Sequence, residues 1–288
     1  MEKQKELAII LRSVAFEERH KIITAITEKR GLVTAIAKNS VQSRRFGGCL
    51  EPFTAAEWQF SEKSGSELLL LLDAQVKRAY EGLRSDFQKF ALASAFNELI
   101  LKLAPQRQEC GDLFKLHSNA LAILEEMPLT PDGHELIILL NGYLAKLLQW
   151  SGSQPQLLGC LSCQISLSEQ DMESTVSCLV QRAGWICADC RTTETKHLRA
   201  SEESWGGFQN SFFRLSPITI RDFYNSLLLP IRQVPEQAMA LGSEHRELFK
   251  YLEALFIYHI PGFDQHPLRS LRFLGLESTV PLQAEYSR

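Results

Sequence analysis

Long apolar runs are absent from this sequence of 288 residues. Its longest runs, such as Leu68–Leu72 and Leu136–Leu140, have only five residues each, whereas a membrane-spanning helix needs about 20. The apolar stretch Leu7–Leu11 stops at Arg12 and is too short for the core of a secretory signal. We therefore expect a cytoplasmic protein with no membrane partner.

The short motifs of several enzyme classes are absent as well. The sequence contains no G-x-x-x-x-G-K-[ST] phosphate loop, no G-x-G-x-x-G turn and no G-x-S-x-G nucleophile elbow. His134 and Glu135 begin a zinc-protease pattern, but the second histidine of that pattern is missing. These absences predict a binding protein rather than an enzyme.

Cysteine is scarce, but four of the seven cysteines form two C-x-x-C doublets: Cys160 with Cys163, and Cys187 with Cys190. The spacer between the doublets covers residues 164–186. Four thiolates at this spacing suit a tetrahedral Zn²⁺ site and leave no position open for catalysis. We predict one structural zinc ion per chain. The alternatives are unrelated thiols or disulfides.

The other cysteines, Cys49, Cys110 and Cys178, are expected to be buried or partly exposed thiols. Cys178 within the spacer and His197 beyond it are alternative zinc ligands. Trp185 precedes Cys187 by two residues, so we expect it to form the small core of the zinc element. Arg182 and Arg191 flank the site, either as a basic edge or as solvated side chains.

The net charge of −3 is small but unevenly distributed. Residues 1–50 contain ten Lys or Arg and five Glu, so this segment carries +5 and the remainder carries −8. A basic segment joined to an acidic remainder favours a module that faces a polyanion.

Five short segments near the start have the length of strands, and the first of them are partly β-branched. They are Leu7–Leu11, Lys21–Thr27, Leu32–Ala37, Phe53–Phe60 and Leu68–Leu72. A turn that contains Gly31 joins two of them and predicts a hairpin. The most economical closure of five such strands is an OB-type barrel, so we predict an OB-fold domain over residues 1–75.

After Asp73 the apolar residues recur every three or four positions, which predicts amphipathic helices packed on a core. The first stripe includes Phe87, Phe90 and Phe96, and helical patterns resume at Thr219–Leu229 and Glu244–His259. We predict a helical domain over residues 76–288 with the zinc element inserted at about 152–197, and hence an α+β protein. The segment Ser201–Ser216 reads as a connector.

The first fifty residues resemble the N-terminal barrel of the RecO family of bacterial recombination mediators. The resemblance rests on Glu17-Glu18 with basic neighbours, on EKRGLVTAIAKNSVQSRRFGG at 28–48 and on LEPF at 50–53. The later order, helices and then a zinc element, is also similar, although the match fades after about residue 215. Where the family usually has glycine this chain has Asn39, a residue type that can also adopt a left-handed conformation.

The resemblance implies a bacterial, nucleoid-associated protein of DNA repair and recombination. RecO-like proteins bind single- and double-stranded DNA and anneal complementary strands. With a RecR partner and the acidic C-terminal tail of single-stranded DNA-binding protein (SSB), they help to load recombinase onto coated DNA after DNA damage. The alternative is a zinc-ribbon adaptor that contacts proteins and has no significant DNA affinity.

The DNA contacts that we predict are basic side chains of the first fifty residues: Lys38, Arg44, Arg45, Arg12, Arg19 and Lys21. The first three lie on a loop flanked by glycine, where mobile cations can follow phosphates, although a solvated loop is the alternative. Lys29 and Arg30 are further candidates. Phe46 either stacks on a base or plugs the end of the barrel, and we prefer the plug.

Overall fold

The N-terminal part of the protein consists of five strands. The structure of the whole chain is a computed structural model. It describes residues 3–41, 43–62, 65–171, 174–192, 212–261, 263 and 268–276. The strands are β1 (Lys3–Phe16), β2 (His20–Thr27), β3 (Gly31–Ala37), β4 (Ala55–Ser61) and β5 (Leu69–Arg78). Each of the five predicted strands is confirmed.

The five strands close into a barrel in the order β1-β2-β3-β5-β4. Strand β4 returns antiparallel to the first half of β1, and β3 runs parallel to β5 over Ala35–Ala37. The predicted OB-type closure is therefore confirmed. Alternate residues of β3 are buried and half-buried, as expected for strands with one face toward a core. Trp58, Phe60 and Phe46 fill that core.

The turn between β2 and β3 requires glycine at position 31. Gly31 has a φ of +59°, and a Cβ there would lie 2.3 Å from the Pro105 carbonyl oxygen and 2.5 Å from that of Gln108. Leu32 N donates to the Pro105 oxygen at 2.8 Å. The turn is thereby fixed against the segment that leads into the helix starting at Gly111.

The helices follow the predicted order. They are α1 (Gly82–Ser85), α2 (Phe87–Leu103), α3 (Gly111–Glu126), α4 (His134–Trp150), α5 (Pro217–Leu228), α6 (Val234–Gln237) and α7 (Gly242–His259); residues 188–192 are helical too. Asp86 starts α2 as its N-cap, because its side chain accepts a hydrogen bond from Lys89 N at 2.9 Å. Within the described ranges, no helix combines the length and the apolarity that crossing a membrane requires.

The first turn of α2 contradicts the predicted apolar stripe. Phe96 is fully buried as predicted, but Phe87 is 64% exposed and Phe90 is 44% exposed. The spacing of these phenylalanines is helical, but their face of the helix lies outside the core.

A small sheet carries the cysteine doublets. It consists of β6 (Val176–Leu179), β7 (Gly184–Ile186) and β8 (Phe212–Leu215) in the order β7-β6-β8. The prediction that Ser201–Ser216 is a connector is wrong for its end, because Phe212–Leu215 pairs with β6. Residues 201–211 lie outside the described residues.

Contacts divide the chain into two compact units. One contains residues 1–127 together with Leu268–Leu276, and the other contains Pro128–Pro267 together with 277–288. The barrel and α1 to α3 belong to the first unit, and the small sheet belongs to the second. The predicted division into residues 1–75 and 76–288 separates the barrel from the helices by fold type rather than by contacts, and it stays a prediction.

Candidate functional site

The two cysteine doublets meet at one point. The sulfur atoms of Cys160, Cys163, Cys187 and Cys190 all lie within 4.8 Å of one another, as a metal-binding group requires. Cys160 and Cys187 are buried, whereas Cys163 is exposed. The sulfur atoms of Cys163 and Cys187 are 3.7 Å apart. The four cysteines are therefore arranged to surround one ion rather than to form disulfides.

Backbone geometry shapes each doublet into a tight turn. In the first, Gln164 N donates to the Cys160 oxygen at 3.0 Å, and Gln164 has a φ of +63°. In the second, Cys190 N donates to the Cys187 sulfur at 3.5 Å. Cys187 N also donates to the Cys160 sulfur at 3.3 Å, which links the two turns.

The electrostatics of the cluster favour a cation. Burial acts to raise the pKa of Cys160, but backbone N–H donors of Cys163, Cys187 and Ser162 lower it to about 7. Contact with the Cys187 and Cys163 thiols raises the pKa of Cys190 to about 12, and burial raises the pKa of Cys187. The Cys160 thiolate therefore forms readily, while Cys187 and Cys190 resist ionisation until a positive charge compensates them. The four soft donors fit a thiophilic metal ion.

Trp185 forms the core of this element, as predicted. Its side chain is fully buried, its Nε1 donates to the Leu157 oxygen at 2.8 Å, and its carbonyl accepts from Leu161 N at 2.9 Å. Because Leu161 lies inside the first doublet, the tryptophan links the doublet to β7. Cys178 pairs with Trp185 across the sheet but is not in the metal-binding group.

The other predictions around the cluster have mixed outcomes. The predictions of buried thiols are confirmed for Cys49, Cys110 and Cys178, and burial raises the pKa of Cys178. Arg182 donates to the Leu161 oxygen at 3.2 Å. His197 lies outside the described residues.

Sequence reasoning missed two residues that support the cysteine element from α7. The Tyr251 hydroxyl donates to the carbonyls of Leu179 and Gly184, both at 3.3 Å, and His259 Nε2 is 2.7 Å from the Val180 oxygen. No local pattern signals these contacts, because they join positions far apart in the sequence.

A second candidate site lies at one end of the barrel, where the β1–β2 turn meets the loop after β3. We call residues Glu17–His20 and Lys38–Phe46 the basic barrel end. Asn39 N donates to His20 Nδ1 at 2.9 Å, and Val41 N is 3.4 Å from the Arg19 oxygen. Asn39 has the expected positive φ, 53°. These contacts hold the two segments side by side.

The predicted DNA contacts are mostly exposed and unpaired. Arg19, Lys38 and Arg45 on the basic barrel end are exposed, as is Arg12 on β1, and none has an ion pair among the described residues. Leu11 is buried, whereas the adjacent Arg12 is exposed. Four cations without carboxylate partners leave their charge available to an anion.

The remaining predicted contacts differ from this group. Lys21 Nζ lies 3.0 Å from Glu51 Oε1, so its charge is partly compensated. Arg30 pairs with Glu6 and Glu62 beyond the other end of β2, so it does not extend the basic barrel end. Lys29 shares that turn. Arg44 opens the short helix Arg44–Phe46, and its side chain lies outside the described structure.

Phe46 plugs the barrel, as we preferred. It is 3% exposed and belongs to the barrel core, so it has no free face for a base. The Arg45 guanidinium lies 4.5 Å from the centre of its ring. The buried ring thus anchors the loop that carries the exposed arginine.

Two family models match the chain. One, described as Recombination protein O N terminal, matches residues 1–80, and the other, described as Recombination protein O C terminal, matches residues 84–203. The first covers the barrel, and the second covers α2 to α4 and both cysteine doublets.

Individual relatives agree with these models. A protein of Anaeromyxobacter dehalogenans named DNA repair protein RecO is 32% identical over 191 residues, which are 66% of this chain and 71% of the relative. A protein of the same name from Desulforamulus reducens is 30% identical over 195 residues, 67% of this chain and 71% of the relative. One from Syntrophotalea carbinolica is 30% identical over 193 residues, with the same two shares.

Proposed function

Because the chain belongs to the RecO family, we propose that it is a DNA-binding mediator of recombinational repair. The observation that carries this proposal is the basic barrel end, where exposed cations without carboxylate partners cluster on an OB-type barrel. A basic groove on such a barrel is a common way to bind single strands. The +5 charge of residues 1–50 supports the same surface.

The proposed mechanism is electrostatic. Cations of the basic barrel end, such as Lys38 and Arg45, replace the counterions condensed on phosphates, and the released counterions supply binding free energy that falls as salt rises. Two strands held on such a surface repel each other less, so complementary bases can meet. Annealing by this route requires no nucleotide hydrolysis, and we therefore propose a non-enzymatic role.

The metal of the cysteine cluster is, in this proposal, one structural Zn²⁺ ion per chain. Four sulfur donors in two tight turns suit zinc and leave no open coordination position. The ion would join the first doublet to the second, and so add to the packing of buried side chains such as Trp185, Leu157 and Ile186. It would not take part in chemistry on DNA.

The proposed partners rest on family membership. We propose that the protein binds both single- and double-stranded DNA, acts with a RecR-like protein, and contacts the acidic C-terminal tail of SSB. These contacts would help recombinase to load onto SSB-coated DNA. A zinc-ribbon adaptor without DNA affinity remains the alternative, and an experiment on the basic barrel end distinguishes the two.

The test is the triple variant Lys38→Ala, Arg44→Ala, Arg45→Ala. We expect it to bind a fluorescent single-stranded oligonucleotide of about 30 nucleotides at least ten-fold more weakly at low salt. The slope of log K against log salt should also flatten, because fewer phosphates are neutralised. Fluorescence anisotropy over a salt series measures both effects.

A matched control removes the same charge elsewhere. Lys5, Lys77 and Lys250 each lie within 4.0 Å of a carboxylate, and their triple alanine variant should bind nearly as wild type does. Equal losses in both variants would mean that only net charge matters. An unchanged salt slope in the first variant would place the DNA surface elsewhere.

A further inference from the structure

Three exposed phenylalanines form a group within the first compact unit. Phe87 and Phe90 lie three residues apart on α2 and so share one face, and Phe273 lies in the short helix Arg269–Leu274. The rings of Phe87 and Phe273 are 5.8 Å apart and nearly perpendicular. Phe273 is 50% exposed, comparable to Phe87 and Phe90. We call these three residues the aromatic platform.

The platform is held in place rather than loosely attached. Glu98 of α2 accepts hydrogen bonds from Arg269 N at 2.7 Å and from Ser270 N at 3.1 Å, which fixes the short helix against α2. Phe90 packs edge-on against buried Phe53 with ring centres 5.5 Å apart. A ligand that stacks here therefore meets surfaces that are already ordered, which reduces the entropy lost on binding.

One arginine contacts the platform, and two more lie close to it in sequence. The Arg272 guanidinium lies 4.7 Å from the centre of the Phe273 ring, and Arg269 and Arg84 are exposed nearby in sequence to Phe273 and Phe87. Arg84 is fixed by hydrogen bonds to the Pro52 oxygen and to Thr54 Oγ1. Flat rings next to guanidinium groups combine a stacking surface with a site for phosphate.

Contacts and neighbouring residues connect the platform to the basic barrel end. Phe90 packs against Phe53, and Glu51 of the same segment binds Lys21 at 3.0 Å. Lys21 follows His20, the first residue of β2, which belongs to the basic barrel end. The segment Glu51–Phe53 therefore adjoins both surfaces.

We propose that the aromatic platform is a second contact for single-stranded DNA, where bases stack on Phe87, Phe90 and Phe273 and phosphates bind Arg272 and Arg84. This inference rests on the proposed function and extends its surface beyond the barrel. Single strands fit better than duplex, because only unpaired bases expose their faces for stacking. The arginines and the continuity with the basic barrel end favour nucleic acid over an acidic peptide.

The first test is the double variant Phe87→Ala, Phe273→Ala. Because both side chains are largely exposed, the fold should persist, which circular dichroism checks. Binding of an oligonucleotide of about 30 nucleotides should weaken about ten-fold or more, with an unchanged salt slope, since no cation is lost. Phe87→Tyr, Phe273→Tyr should retain binding, and Leu228→Ala, which removes an exposed apolar side chain in the other unit, is the matched control.

The second test reads stacking directly. In Phe87→Trp, the fluorescence of the new tryptophan should be quenched by a thymidine oligonucleotide but not by duplex DNA, whereas Leu228→Trp should show no such quenching. If Phe87→Trp showed no quenching, or if the double alanine variant kept its DNA affinity, the proposed DNA contact would be overturned. If the double alanine variant lost binding to an acidic peptide but kept its DNA affinity, the contact would also be overturned, and the surface would be assigned to a protein partner.

The outcomes separate this inference from the proposed function. If the wild-type protein binds no single-stranded DNA, both fail. If the wild type binds and the Lys38/Arg44/Arg45 variant weakens binding while the phenylalanine variants do not, only the platform is wrong.

Discussion

Two glycines with similar backbone conformations have very different surroundings. Gly31 and Gly48 have φ values of +59° and +71°, a region that costs an ordinary residue about 1–2 kcal/mol. A Cβ on Gly31 would collide with two backbone carbonyls, while a Cβ on Gly48 would meet nothing within 4 Å. Backbone atoms cannot move aside as a flexible side chain can, so the two positions should differ in their tolerance of alanine.

We predict that Gly48→Ala lowers the free energy of unfolding by about 1 kcal/mol. Gly31→Ala should lower it by about 2 kcal/mol more, because the collision adds to the conformational cost. Denaturant unfolding of both variants measures the difference. Equal losses would mean that the contact between the β2–β3 turn and residues 105–108 is not as close as described.

Sequence reasoning succeeded at residues whose role is set by local chemistry. Asn39 adopts the left-handed conformation that its side chain tolerates, and Phe46 is buried in the barrel core, as preferred for this aromatic side chain. It did not find the ion pair of Lys21 with Glu51, because the two residues meet only after the barrel closes.

At the scale of elements, the two cysteine doublets come together as a group that could hold one metal ion, as their spacing predicted. We expect Cys187→Ser, Cys190→Ser to lose the bound zinc and to melt at a temperature lower by about 5 °C or more, since binding free energy of a structural metal adds to folding. Metal content by mass spectrometry and thermal unfolding test this. A double variant that keeps one zinc per chain and melts like wild type would contradict the ligand assignment.

The control is Cys178→Ala. Cys178 is fully buried in the same sheet but lies outside the four-cysteine group, so this variant should keep its zinc. A modest loss of stability from the removed sulfur is expected, of about 1 kcal/mol. Comparison of this control with the Cys187→Ser, Cys190→Ser variant therefore separates the effect of metal binding from that of packing.

Elements were predictable where a local period or spacing defines them, and not where distant pairing does. The five barrel strands and the long helices follow from their apolar patterns. Strand β8 was missed because its four residues become a strand only by pairing with β6, with Val176 opposite Leu215. The exposed faces of Phe87 and Phe90 were missed because spacing gives the face of a helix but not whether another element covers it.

At the scale of the whole molecule, the charge distribution connects the fold to the proposed function. The positive segment folds into the barrel, with Arg19, Lys38 and Arg45 exposed and unpaired among the described residues at one end, while the remaining residues carry the net negative charge. The pI of the whole chain, near 6.2, does not reveal this uneven distribution of charge. The family could be inferred from the sequence because its motifs lie in the two most distinctive segments, the loop after β3 and the cysteine doublets. The partners could not be derived from these residues, since binding surfaces for proteins leave no such motif.

The most direct test of the central claim is the anisotropy of a labelled single-stranded oligonucleotide titrated with the wild-type protein, at low salt and at about 150 mM salt. The account predicts tight binding at low salt that weakens steeply as salt rises, because Lys38, Arg45 and their neighbours act through phosphates. An absence of binding at low salt would contradict the DNA-mediator role and favour the adaptor.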